Sequence, residues 1–359
     1  MENVIIRRLK EGDEKEINDL FNQIFNEQRS IEEWCWKFRD NPLGYLNLTS
    51  VAESGGKILG QYSNLPYFFK YRDMILKFGM VVDNFVHPEF RGGIKGVQRA
   101  VYEYACNIFY EENMAVGFGF PTRAHYIFGK RYLKYSDICK IPGLFRRMNW
   151  RLSIQQRFPL LPPVVLNAVR DMSNFVYRIL IKTKKRNKPK GLEIKLYDSF
   201  DGRFDEFWER VKGQYGIIGV RDRRCLDWRY RKPGNKYEIV VAELAGKIAG
   251  YAVIKTQKET EHVVGYLVDI LVDESAEAGP SLIKECILRF LSSKVDYVLS
   301  WMLEDKKLYQ TLKEYGFIER EIDQNANGVY LIFDNKNIEA TYIGDSRNWY
   351  ITMGDSDVY

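Results

Sequence analysis

The sequence predicts an α/β protein made of two mixed α+β units in tandem. Three observations lead there. The chain has 359 residues, enough for two cores at about 150 residues each. One ordered set of short motifs occurs twice along it. Each copy also reads as strand, helix, helix, strand pair, then strand, turn, helix, strand, helix. That order belongs to sheets with helices packed on them.

The repeat carries most of this argument. Trp36, Arg39 and Pro42 recur as Trp228, Arg231 and Pro233. Val51, Ala52 and Glu53, followed by Gly56, Lys57, Ile58 and Gly60, recur as Val241, Ala242 and Glu243, followed by Gly246, Lys247, Ile248 and Gly250. Val82, Asp83 and Val86 match Val268, Asp269 and Val272, and Tyr126, Lys130 and Tyr132 match Tyr309, Lys313 and Tyr315. The offsets fall steadily from 192 through 190 and 186 to 183, as a duplication with small deletions gives.

The elements of the first copy follow in order. Residues 4–9 form a short apolar strand, and Asp13 opens an amphipathic helix to about Phe25. Ser30 and Glu33 have capping-box spacing for a second helix that stops before Pro42. Strands through Val51 and Ile58 meet at Gly55 and Gly56, a pair suited to a tight hairpin. A strand over 80–86, a Gly-rich turn and a helix over 97–110 come next, then a strand over 115–120 and a helix over 122–132. The second copy repeats this from 192 to about 333. The predicted boundaries are a first unit over 1–140, a connector over 141–191, a second unit over 192–335 and an aromatic tail over 336–359.

Composition narrows the class. Hydrophobic residues at 45% and charged ones at 28% exclude a disordered or fibrous chain. No apolar run reaches the roughly 18 residues of a membrane span. The start lacks a basic stretch followed by an apolar one, so no signal peptide is expected. Five scattered cysteines, an odd number, and three distant histidines (His87, His125, His262) give neither a disulfide framework nor metal-ligand spacing. The expectation is a cytoplasmic protein without a metal.

Charge is concentrated in one segment. Residues 141–191 hold twelve Lys/Arg and one acid, a local charge of +11 in a chain of +6, which leaves −5 elsewhere. A nucleic-acid binder that is basic throughout would not be distributed so, and no DNA partner is expected. Within the segment, Leu166, Val169, Phe175, Val176, Ile179 and Leu180 have roughly helical spacing. One reading is an amphipathic connector packed on a unit. The other is peripheral contact with anionic lipid or a phosphate-bearing partner.

The motif that carries chemistry follows Val86. The residues are His87, Pro88, Glu89, Phe90, Arg91, Gly92, Gly93, Ile94, Lys95 and Gly96. Glycines before a helix let backbone N–H groups turn towards an anion, and the helix N-terminus adds positive potential. Arg91 and Lys95 would add charge. The same glycines also suit an ordinary strand-to-helix turn. With its neighbours, the run from Val86 to Gly92 resembles the coenzyme-A-binding segment of GCN5-related N-acetyltransferases (GNAT), and the element order agrees. The repeat makes the chain look like a tandem member over nearly all of 4–333. The family turn has a glycine where Ile94 stands, which one deletion after Arg91 accounts for.

The resemblance implies two GNAT domains, each a central mixed sheet flanked by helices, and transfer of an acyl group from acetyl-CoA or another acyl-CoA. Cofactor contacts then fall to Phe85, Val86, Arg91, Gly92, Gly93, Ile94, Lys95 and Gly96. A small-molecule primary amine would attack the thioester directly. Tyr126 matches the family's tyrosine beside the leaving sulfur. Asp83, on the candidate strand, is the candidate base; His87 and His125 are polar neighbours. In each case the alternative is a structural role, and Asp269 in the other copy argues for one at Asp83. The second copy has Asp273, Glu274 and Glu277 where the turn should be, with no basic residue, so it is expected to have lost the cofactor. The tail resembles endings of tandem acetyltransferase-like proteins of bacterial surface-polysaccharide clusters. That places an amino sugar among the acceptors, beside amino acid, polyamine and protein lysine. In some tandem relatives a terminal carboxylate acts as base, which would be Tyr359 here. The rival readings are an aminoacyl-tRNA-dependent transferase of the peptidoglycan-bridge type and a non-catalytic acyl-CoA-binding scaffold.

Overall fold

The computed structural model describes residues 4–44, 47–90, 96–184, 188–259, 261–320, 327–334 and 336–359. The first unit begins with β1 (Ile5–Arg8), α1 (Glu14–Phe25), α2 (Ile31–Phe38), β2 (Ser50–Ser54), β3 (Lys57–Tyr71) and β4 (Met74–Val86). It continues with α3 (Val97–Glu111), β5 (Val116–Gly119), α4 (Arg123–Tyr132) and β6 (Ser136–Lys140). Then come β7 (Gly143–Arg147), α5 (Arg151–Arg157) and α6 (Pro163–Thr183). The second unit holds β8 (Leu192–Tyr197), α7 (Arg203–Val211), β9 (Ile217–Gly219), α8 (Arg223–Arg229), β10 (Tyr237–Leu244), β11 (Lys247–Glu259) and β12 (His262–Val272). It ends with α9 (Gly279–Ser292), β13 (Tyr297–Trp301), α10 (Lys307–Glu314), β14 (Ile318–Glu319), β15 (Asn327–Ile332) and, in the tail, β16 (Trp349–Tyr350).

Local chemistry accounts for many of these boundaries. The Ser30 side chain accepts from the Glu33 backbone N–H and starts α2. Thr122 and Asp222 do the same for α4 and α8. The β2–β3 hairpin turns at Gly55 (φ +56°) and Gly56 (φ +77°), a pair of left-handed residues that L side chains resist. β3 and β4 are longer than predicted. Their ladder runs out to Tyr71 opposite Met74.

Two mixed sheets result, as the fold class predicts. One has the order β1-β2-β3-β4-β5-β15-β6, with β9 on the far part of β3 and β16 on β9. The other has the order β14-β7-β13-β12-β11-β10-β8. The units therefore exchange a strand. β7 leaves the first unit to pair with β13 and β14, and β15 leaves the second to pair with β5 and β6. Pro142 sits between β6 and β7, where it cannot donate to a ladder, and the chain crosses to the other sheet. The sequence-drawn limits at 140 and 335 thus do not follow the sheets. Residues 143–147 of the connector are sheet, with Leu144 and Phe145 buried, and 327–332 lie in the first sheet.

Candidate functional site

β4 and β5 run parallel and pair only at Phe78↔Val116, Gly79↔Gly117 and Met80↔Phe118. β5 ends at Gly119 while β4 continues to Val86, so the strands part there. In the same stretch β4 is bulged. Gln61 faces Phe85 and Ser63 faces Val82, leaving Asp83 and Asn84 opposite Tyr62 alone. Asp83 takes φ +48°, a costly conformation for a residue with a Cβ. Its surroundings hold it: Gln61 Nε2 donates to its carbonyl at 2.9 Å, and the Asn84 side chain accepts from the Ser63 N–H at 2.9 Å.

The Asp83 carboxylate is buried between two cations, Arg29 and Lys37, the latter at 2.8 Å. Arg29 is itself fixed by Asn18 Oδ1 at 2.7 Å and lies 3.7 Å over the Phe21 ring. Lys37 also reaches Asp357 of the tail at 2.7 Å. Burial pushes the Asp83 carboxyl up, but Lys37 and then Arg29 outweigh it, and the group lies below its ordinary range. A carboxylate held this way is a poor proton acceptor. The geometry thus favours a structural role for Asp83 over that of base.

The second unit repeats the device. Asp269, on β12, is met by Arg221 at 3.3 Å, the Tyr251 hydroxyl at 2.9 Å and the Thr352 hydroxyl at 2.8 Å. Arg221 also binds Asp355 of the tail at 2.7 Å. Arg29 and Arg221 stand immediately before the N-cap residues of α2 and α8, at the offset of Trp36 and Trp228. Those tryptophans mark where the units meet. Their rings stack at 5.3 Å, and each indole N–H donates to the other's backbone carbonyl, at 2.8 and 2.9 Å. Sequence reasoning missed Arg29, Arg221 and Lys37. The signal was present, because the repeat that pairs the tryptophans also pairs these arginines, and Lys37 with Arg229.

Of the proposed cofactor contacts, Phe85 and Val86 are buried on the parted stretch of β4. Arg91, Gly92, Gly93, Ile94 and Lys95 lie outside the described residues. Gly96 is the N-cap of α3 in extended conformation, with no side chain capping the helix and no acid in its first turn. The second unit differs at the same place. The Asp273 carboxylate accepts from the Ser275 N–H at 3.0 Å and hydroxyl at 2.6 Å, and from Arg210 and Gln214, each at 3.3 Å. The Tyr350 hydroxyl donates to the Ile270 carbonyl and the Tyr215 hydroxyl to that of Val272, at 3.2 Å for Tyr215. Those carbonyls lie on the stretch of β12 beyond its pairing with β13, which ends at Leu267. A cavity of about 350 Å³ remains beside them, lined by acids of the turn together with Lys306, Lys307 and Leu308.

Tyr126, on α4, donates its hydroxyl to Asp137 at 2.8 Å, and that bond raises its pKa and keeps it protonated. His125 is placed behind it, Nε2 3.1 Å from the Tyr135 hydroxyl, and burial lowers its pKa to about 4. His87 caps the turn after β4, its Nδ1 3.4 Å from the Glu89 N–H. Tyr126 and Asp83 are thus engaged by different partners. Tyr359 lies in the second unit, where its main-chain oxygen accepts from Arg229 at 2.7 Å and Tyr237 at 3.1 Å. Its ring packs on Tyr266 and Trp301 at 5.4 and 5.2 Å.

Residues 5–132 match the family model described as an acetyltransferase (GNAT) domain. A search of curated proteins returned no match. Among solved structures, a probable N-acyltransferase from Enterococcus faecalis V583 is similar at TM-score 0.62 and 13% identity, covering 92% of this chain and 73% of that one. A GCN5-related N-acetyltransferase from Anabaena variabilis is similar at TM-score 0.63 and 11% identity, covering 92% and 73%. Saccharomyces cerevisiae N-myristoyltransferase, with bound myristoyl-CoA, gives TM-score 0.57 and 13% identity over 92% and 83%. Identities this low speak for the fold alone, and the family model speaks for the first unit. Residues 5–132 thus carry a GNAT acetyltransferase domain.

Proposed function

We propose that this chain is an acyl-CoA-dependent N-acyltransferase, acetyl-CoA being the simplest donor, with acyl-CoA in the first unit and a primary amine entering between the units. One observation carries the reading. Both units part and bulge the strand before the turn and open the next helix without a side-chain cap, but only the first unit's turn is glycine-rich with Arg91 and Lys95. In the second unit, tyrosine hydroxyls sit on the matching carbonyls and acids fill the turn. The fold neighbour solved with myristoyl-CoA supports an acyl-CoA as donor. In the reaction the neutral amine nitrogen attacks the thioester carbonyl, the C–N bond forms and the C–S bond breaks; the nitrogen gives up a proton to water and the CoA thiolate takes one up. Tyr126, kept protonated by Asp137, is our candidate donor of that proton. Backbone N–H groups of β4 are our candidates for the oxyanion.

The test is stoichiometry. Equilibrium dialysis should find one CoA per chain, and Arg91→Glu should abolish binding with no residual second site. Each carboxylate–phosphate pair at 4 Å costs about 1 kcal/mol in water and more as water is excluded. Two sites per chain, or unchanged affinity in Arg91→Glu, would overturn the assignment. Binding without turnover on a panel of amines would leave a scaffold.

A further inference from the structure

Helix α6 is amphipathic, but its apolar stripe faces solvent. The side turned to the protein carries Leu166, Ser173, Asn174 and Ile181. The opposite side carries Val164, Ala168, Met172, Phe175 and Ile179, within an arc of about 80° at 100° per residue. Val164 is 72% exposed, Phe175 65% and Met172 56%. The preceding turn adds Phe158 at 53% and Leu160 at 97%, flanked by prolines that hold the chain outwards. Among the described residues, no helix is long and apolar enough to cross a membrane.

We propose that this face docks the protein on an anionic bilayer, with α6 lying along the surface and Leu160 and Phe175 inserted. Charge selects this occupant. The segment 141–191 has a charge of +11. Exposed cations bracket the stripe, with Arg157 before it and Lys182, Lys188 and Lys190 after it. The one acid of the segment, Asp171, is matched by Lys294 at 3.1 Å and Arg170 at 3.5 Å. A second copy meeting the first through this face would bring the exposed Arg157, Lys182, Lys188 and Lys190 against like charges, whereas an anionic surface attracts them. A bilayer also accepts a protruding Leu160 without a preformed groove.

Flotation of the full chain with vesicles tests this. Phosphatidylcholine vesicles containing phosphatidylglycerol should carry the protein at about 0.05 M salt and at least tenfold less at about 0.5 M, as screening shortens the reach of the cations. The double variant Leu160→Glu/Phe175→Glu should lose at least tenfold in partitioning. Ile75→Glu, at an exposed apolar position elsewhere, should keep it. Unchanged thermal melts would show that both variants fold. The proposal is overturned by absence of flotation at low salt, by equal flotation on pure phosphatidylcholine or by unchanged flotation of the double variant. A concentration-dependent dimer that the double variant abolishes would also overturn it.

Discussion

Asp83 shows how one residue can be costly and still required. Its left-handed φ and its burial both work against it, and Arg29 and Lys37 offset them. Asp83→Asn removes the shared counter-charge, leaving Arg29 buried without a carboxylate and Lys37 with Asp357 alone. We expect a loss of about 3–5 kcal/mol in urea unfolding. The folded pKa lies below the unfolded value of about 3.9. The pair's stabilisation is therefore complete above that value and is lost as pH falls through the folded one. The variant should show a flatter stability decline on the acid side, and an unchanged acid limb would remove Asp83 from this role. Tyr126→Phe keeps the ring packed and removes the hydroxyl with its bond to Asp137. With acetyl-CoA and a reactive amine, kcat should fall about 10²-fold with little change in KM for acyl-CoA. Wild-type turnover would return Tyr126 to packing.

At the scale of elements, α3 lies so close to β4 that Gly79 has no room for a side chain. A Cβ there would stand 2.3 Å from the Phe109 ring, which is buried beneath it. Gly79→Ala should cost about 1–3 kcal/mol, as overpacking does. It should also spread the strands where they part, so weaker CoA binding in calorimetry should accompany the lower melting temperature. The tail is a second element held by specific groups. Arg229 donates to the backbone oxygens of Gly354, at 3.0 Å, and of Ser356 and Tyr359. Arg229→Ala removes the donor from the Gly354 and Ser356 oxygens and leaves the Tyr359 oxygen to Tyr237. Limited proteolysis should then cut within 345–359 while the wild type resists. Equal resistance would mean that the aromatic contacts suffice.

The whole molecule is tied together by the exchanged strands. β15 sits between β5 and β6, and β7 between β13 and β14. A first unit cut off before Gly143 would lack a central strand and expose two facing edges. The intact chain should therefore unfold in one calorimetric transition. A fragment of residues 1–142 should show no cooperative melt, and a sharp independent transition from it would contradict the coupling. The stacked tryptophans and the tail, which touches Lys37 in one unit and Arg221 in the other, reinforce the same coupling.

By itself the sequence determined the tandem plan, the helices opened by Ser30 and Thr122, the glycine hairpin and the strand and helix that flank the candidate cofactor turn. The tandem plan was read from a repeat at offsets of 183–192; the others are set by residues within about ten positions of one another, through periodicity, capping and backbone freedom. Only the tertiary structure decided which sheet received β7 and β15. Sheet pairing depends on edges hundreds of residues apart, and a short apolar strand reads the same in either sheet. The ion pairs of Asp83 were hidden for a related reason. Arg29 lies 54 residues away and Asp357 reaches the cluster from the other end of the chain. The outward-facing stripe of α6 was legible as an amphipathic pattern. Which side met water was not, because periodicity fixes the angle between two faces of a helix and packing alone chooses which is covered.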